Sequence, residues 1–85
     1  MNTATVWAAV EWRKPVMVRI GYGPTETIRG PSEAFEYLNS RWPIVEGIYH
    51  DLAEQKCRAA MERKAFAEEA RDIFVSAAIE ARVLV

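Results

Sequence analysis

The 85-residue chain holds one cysteine, Cys57, and one histidine, His50. A lone cysteine excludes an internal disulfide framework and fits a reducing compartment, so a cytoplasmic location is expected. A lone histidine leaves no His-rich ligand motif. Glu46 and Glu54, four residues either side, can pair with it when it is protonated, but one histidine with scattered carboxylates falls short of three or four ligands, so no metal and no cofactor is expected. No apolar run approaches the roughly 20 residues of a helical membrane span. The apolar start, Met1 to Val10, is uncharged until Glu11 and lacks the basic opening of a signal peptide. Charge of one sign is missing as well. The net charge is −1, with five Arg/Lys against four Glu in residues 1–43 and six against eight Asp/Glu in residues 44–85. Neither half supplies the basic footprint with which proteins displace counterions from nucleic acid. So little net charge also puts little self-repulsion in the way of association.

What is present is an ordinary folded composition, 51% hydrophobic and 27% charged. The length means one domain, 1–85, and a chain of this size buries only about 60–65% of its unfolded surface. Residues 1–11 are expected as an arm, or as an extra strand within Thr5–Trp12. Val16, Val18 and Ile20 alternate with Met17 and Arg19, the period of a strand with one buried face. Gly21-Tyr22-Gly23-Pro24 is turn chemistry, and Thr25–Arg29 returns as a second strand. This turn is not a phosphate loop. It has no later glycine, no Lys-Ser/Thr pair and no helix directly behind it.

The stretch Gly30–Pro43 organises the rest. Pro31 suits the first position of a helix, Glu33 and Glu36 favour its positive end, and Pro43 forces it to stop near Arg41. Phe35, Leu38 and Trp42 share one face. A two-stranded ribbon is marginal alone, so this ridge is expected to cover the hairpin. From Gly47 on the pattern is helical. Ile48, Tyr49, Leu52, Ala53, Ala59 and Ala60 fall on one side, and Lys56 projects from within that arc with its ammonium lifted to water. Phe66, Ala70, Ile73, Phe74, Ala77, Ala78 and Ala81 form a second apolar set. Residues 58–68 contain no Gly, Pro, Ser, Thr, Asn or Asp. Pattern alone therefore allows one rod of about 50 Å, far too long for a domain whose radius of gyration is near ~12 Å. A break near Glu62–Phe66 is expected instead. Arg82–Val85 reads as a short final strand. The expected class is α+β, an antiparallel β-hairpin packed on two to three helices, with a third short strand drawn from either terminus.

These residues carry a resemblance. The order Pro15-Val16, Gly30-Pro31-x-Glu33-Ala34, Leu38-x-x-x-Trp42-Pro43, Gly47-x-Tyr49, Cys57-x-x-Ala60-Met61 and Ala70-Arg71-x-x-Phe74-x-x-Ala77-Ala78-x-x-Ala81 resembles the small alphaproteobacterial family catalogued as domain of unknown function 982. The match spans about residues 12–85. It implies a hairpin followed by helices, and it implies no activity. It also implies glycine, sometimes proline, between the last two helices, where this chain has Glu62-Arg63-Lys64-Ala65.

Catalysis is not expected. Cys57 and His50 lie seven apart, about 10 Å along a helix, where a nucleophile and its base need about 3 Å. Ser32, Ser40 and Ser76 have no base in a recognisable motif. Cys57 reads as a small buried hydrophobe. The expected function is a non-enzymatic protein-interaction or regulatory module with an unidentified protein partner or a second copy of itself. Arg41, Trp42 and Tyr49, around the helix-to-helix turn, are the candidate contact surface. The alternative is a small-ligand or nucleic-acid binder using the hairpin, with Arg13, Lys14, Arg19 and Arg29 near phosphates.

Overall fold

The alternation of Val16 and Val18 with Met17 and Arg19 produces the strand it implies. In the computed structural model, which describes residues 10–44 and 47–85, β1 (Val16–Arg19) pairs antiparallel with β2 (Thr25–Ile28), Val16 opposite Ile28 and Arg19 opposite Thr25. Val16, Val18 and Ile28 are buried, while Met17 and Arg19 face outward. The expected C-terminal strand contracts to one antiparallel bridge, Val18 with Leu84. The Arg19 N–H donates to the Val83 carbonyl at 2.8 Å and the Val85 N–H to the Met17 carbonyl at 3.1 Å. β1 therefore lies in the middle of three extended segments. The expected N-terminal strand lies mostly outside the described residues. Its described end is held tightly: the Trp12 N–H donates to the Arg29 carbonyl at 2.8 Å, and Trp12 is buried. A Cβ on Gly30 would overlap the Val10 carbonyl oxygen, so glycine is what lets this segment lie against the hairpin.

Three helices follow, α1 (Pro31–Ser40), α2 (Tyr49–Met61) and α3 (Ala67–Glu80). Pro31 takes the first helical position of α1, as its fixed φ favours. No side chain caps the helix at Gly30; Glu33 reaches back and accepts the Arg29 N–H at 2.8 Å. The helix closes at Arg41, ahead of Pro43.

The break between the last two helices is made without a glycine. At the end of α2, Arg63 takes φ 60, its N–H donates to the Ala60 carbonyl, and the Lys64 N–H donates to the Ala59 carbonyl. Those two bonds and the left-handed residue form a Schellman cap. α3 ends in the same way: Arg82 has φ 59, its N–H donates to Ile79, and the Val83 N–H donates to Ala78. Left-handed geometry costs a non-glycine residue about 1–2 kcal/mol. The fold-back offsets that cost. It lays Ala53, Cys57 and Ala60 of α2 beside Ala70, Ala77 and Ala78 of α3, all buried, with side chains small enough for close approach.

The core differs from the sequence reading in which helix covers the hairpin. α1 packs mainly on α2, and α3 is the helix that comes against β1. Phe74, fully buried on α3, is the centre. The Trp12 ring lies 5.7 Å and the Trp42 ring 5.3 Å from it, centroid to centroid. Leu38 of the expected ridge is buried and Phe35 is half-buried. The reason is size. An alanine-lined helix sits closer to a small sheet than one carrying Phe35 and Tyr37. Two residues assigned to apolar faces are exposed, Ile48 and Phe66, at 73% and 80%. Each precedes the first helical residue. Phe66 is extended, at ψ 135, so helical phase does not govern it.

Candidate interaction face and polar groove

α1 meets its neighbours through polar groups at two places, once on the hairpin and once on α2. At the first, Arg41 forks onto Glu26 of β2, with Nη1–Oε1 at 2.8 Å and Nη2–Oε2 at 2.6 Å. The Tyr37 hydroxyl donates to the same carboxylate at 2.6 Å, and the guanidinium lies 4.6 Å over the Tyr37 ring. Arg41, then Tyr37, hold the Glu26 carboxyl below the usual carboxylate range. Donation to Glu26 in turn pushes the Tyr37 phenol up. This cluster ties α1 to the hairpin.

The second place is the start of α2. His50 Nε2 lies 2.8 Å from the Leu38 carbonyl of α1. A carbonyl only accepts, so Nε2 carries the hydrogen and Nδ1 points the other way. Nδ1 lies 3.1 Å from Asp51 Oδ1 and 4.0 Å from Glu54 Oε1. Burial works against a charged ring, but the Leu38 carbonyl, Asp51 and Glu54 outweigh it and raise His50 above its ordinary 6.5. Beside this cluster a groove of about 290 Å³ opens between the helices, lined by Phe35, Asn39, Asp51, Glu54, Gln55 and Arg58. The sequence reading took these carboxylates as scattered. The ligand-capable atoms of His50, Asp51 and Glu54 lie within 4.8 Å of one another. The detectable signal was the i, i+1, i+4 spacing, which shares one helix face between residues 50 and 54. Glu46, also named from sequence, lies outside the described residues.

α2 has no cap of its own, and α3 provides one. Glu80 accepts the Ile48 N–H and the Tyr49 N–H, each at 3.2 Å. A Cβ on Gly47 would collide with the Glu80 carboxylate, so any other residue there would make this long-range cap shift. Next to it in the chain are two exposed aliphatic side chains, Ile48 at 73% and Ile79 at 60%, and Ile44, after α1, is fully exposed.

The three contact residues expected from sequence are near one another in the chain but differ in environment. The side chain of Arg41 is 45% exposed. Trp42 and Tyr49 are half-buried and pack against the core. Cys57 is buried, and burial pushes its thiol up to about 12, so it holds no thiolate at neutral pH. Lys56 lifts its ammonium to Glu69 of α3 at 2.6 Å. On the hairpin side, Arg13, Lys14, Arg19 and Arg29 are exposed, and the bonds at three of them leave their charges unneutralised. The Arg13 N–H donates to Glu68, Glu33 lies at the Arg29 N–H, and Arg19 Nε donates to the Gly23 carbonyl.

A family model described as "Protein of unknown function (DUF982)" matches residues 14–85. The chain belongs to that family. The solved NMR structure of Agrobacterium tumefaciens protein Atu1219 is similar at 34% identity and a TM-score of 0.75, over 89% of this chain and 76% of that one. A search of curated proteins gave no match. The relationship extends the fold to an alphaproteobacterial relative, and the family carries no stated activity. Where the resemblance to this family implies glycine between the last two helices, Arg63 adopts the left-handed conformation that glycine takes at lower cost. No helix among the described residues is long and apolar enough to cross a membrane.

Proposed function

We propose that the protein is a non-enzymatic interaction module that works in the cytoplasm through the face where α1 turns into α2. The observation that supports this is the exposure of Ile48 and Ile79, the chain neighbours of the Glu80 cap, and of Ile44 after α1. Large aliphatic side chains left exposed on a small domain are a costly surface when they form a patch that nothing covers. Arg41 and the open edges of Trp42 and Tyr49 complete the face. The indole and the phenol supply the aromatic anchors that interfaces favour, and Arg41 supplies a charge at the rim. Near-zero net charge makes a second copy the first partner to test.

Sedimentation velocity over a wide concentration range is the test. The expected result is concentration-dependent dimerisation that is lost in the Ile48→Asp and Ile79→Asp variants, both of which retain wild-type helicity. A strict monomer at every concentration sinks self-association. Cross-linking from position 48 in the native host then decides whether a different protein covers the face. A phosphate- or nucleic-acid-binding hairpin is the competing reading, and salt-dependent binding to RNA or DNA would favour it.

A further inference from the structure

We propose that His50, Asp51 and Glu54 form a site for a divalent transition cation of the zinc type, with His50 Nδ1 as its nitrogen donor. The contact that orients the ring lies outside the cluster, at Leu38. Its carbonyl claims the Nε2 hydrogen at 2.8 Å, which fixes the ring and turns the Nδ1 lone pair toward two carboxylates. A metal-bound imidazole is oriented in the same way, by giving its other N–H to a backbone carbonyl or carboxylate. The neutral ring and the two carboxylates are then three acceptors facing one point, an arrangement that repels itself until a positive species sits between them. A proton can do this for the 3.1 Å pair of Nδ1 and Asp51. A metal ion can do it for all three groups.

The spacing agrees. Zinc bonds of about 2.0 Å in a tetrahedron place neighbouring donors about 3.3 Å apart. The observed 3.1 Å and 4.0 Å bracket that value, and all three donor atoms fall within 4.8 Å. One imidazole and two carboxylates suit zinc and its neighbours better than magnesium, which prefers an all-oxygen shell. Asp51 and Glu54 also line the groove, so water entering there reaches the remaining coordination position. Two features oppose a cation. The partial positive charge at the start of α2 is offset by the Glu80 carboxylate on its first amides. Arg58, on the same groove, is drawn off over the Phe35 ring at 5.3 Å.

The test is zinc chloride titrated into the full nitrogen-15-labelled chain, read by long-range ring spectra and thermal unfolding. Nδ1 of His50 should move to the metal-bound range while Nε2 keeps its proton, and the unfolding midpoint should rise. His50→Gln should abolish the effect and Glu54→Gln should weaken zinc binding at least about tenfold. Magnesium chloride at the same concentrations should leave the ring unchanged. Zinc binding of wild-type strength in both folded variants overturns the proposal. So does an unmoved Nδ1 resonance at about 1 mM zinc, the weak end of specific affinity.

Discussion

The two faces of α2 are built differently. Toward α3 the contact is apolar, with Ala53, Cys57 and Ala60 against an alanine-lined helix whose Phe74 is wholly buried. Toward α1 the helix start is joined through polar atoms, with His50 on the Leu38 carbonyl and carboxylates along the groove. The first face supplies stability through area removed from water, and it holds no group able to react, since its one thiol is driven neutral. The second buries less and leaves polar groups converging on open space. In a domain this small, one contact holds the fold and the other is free to carry function.

The contrast can be broken most severely at the apolar centre. Phe74→Ala removes the ring on which both Trp12 and Trp42 pack, and is expected to cost about 3–5 kcal/mol by urea unfolding. In a domain of this length that is a large fraction of the total stability. Trp42→Ala should cost less because the indole is half-buried. If it costs nothing, Trp42 serves only the surface. A loss of about 1 kcal/mol is expected at the long-range cap, for Gly47→Ala and for Glu80→Ala alike. The double variant should lose little more than either single one, because both delete the same interaction. Additive losses would show that Gly47 acts elsewhere.

Smaller gains are expected at the two Schellman caps. Arg63→Gly and Arg82→Gly each relieve left-handed strain and should stabilise the chain by roughly 0.5–1 kcal/mol. Because the two sites are separate, their gains should add. The smallest effect concerns pH. Glu26 has a folded-state pKa below its ordinary 4.5, so its contribution is complete above that value and is lost as pH falls through the lower, folded one. Glu26→Gln should flatten the acid side of the stability profile. An unchanged profile would mean that the Arg41 fork is spent in water.

Local pattern carried the elements further than it carried their partners. Val16 and Val18 announced a buried strand face by alternation, and Pro31 and Pro43 bounded α1, because strand period and proline geometry are properties of a few adjacent residues. Cys57 was legible as core for the same reason. The helix that would cover the hairpin was not, since Phe35–Leu38–Trp42 and Phe74 with its alanines are equally apolar in sequence. Phe66 was misplaced because its extended backbone takes it out of helical phase, whereas Ile48 keeps helical dihedrals and is exposed at the end of its helix. The polar cluster was half legible. The spacing of His50 and Glu54 was visible, but its orientation comes from Leu38, twelve residues away.

By itself, then, the order of residues determined the hairpin, α1, the helical character of the chain after Gly47 and the greasy side of most of it, because each depends on neighbours within about one turn. Only tertiary structure decided that α3 rather than α1 lies on β1, that arginines accept left-handed geometry to fold α2 back on α3, and that Glu80 caps a helix from 31 residues away. Those outcomes rest on volume, burial and close approach between distant segments, and no stretch of chain carries them alone.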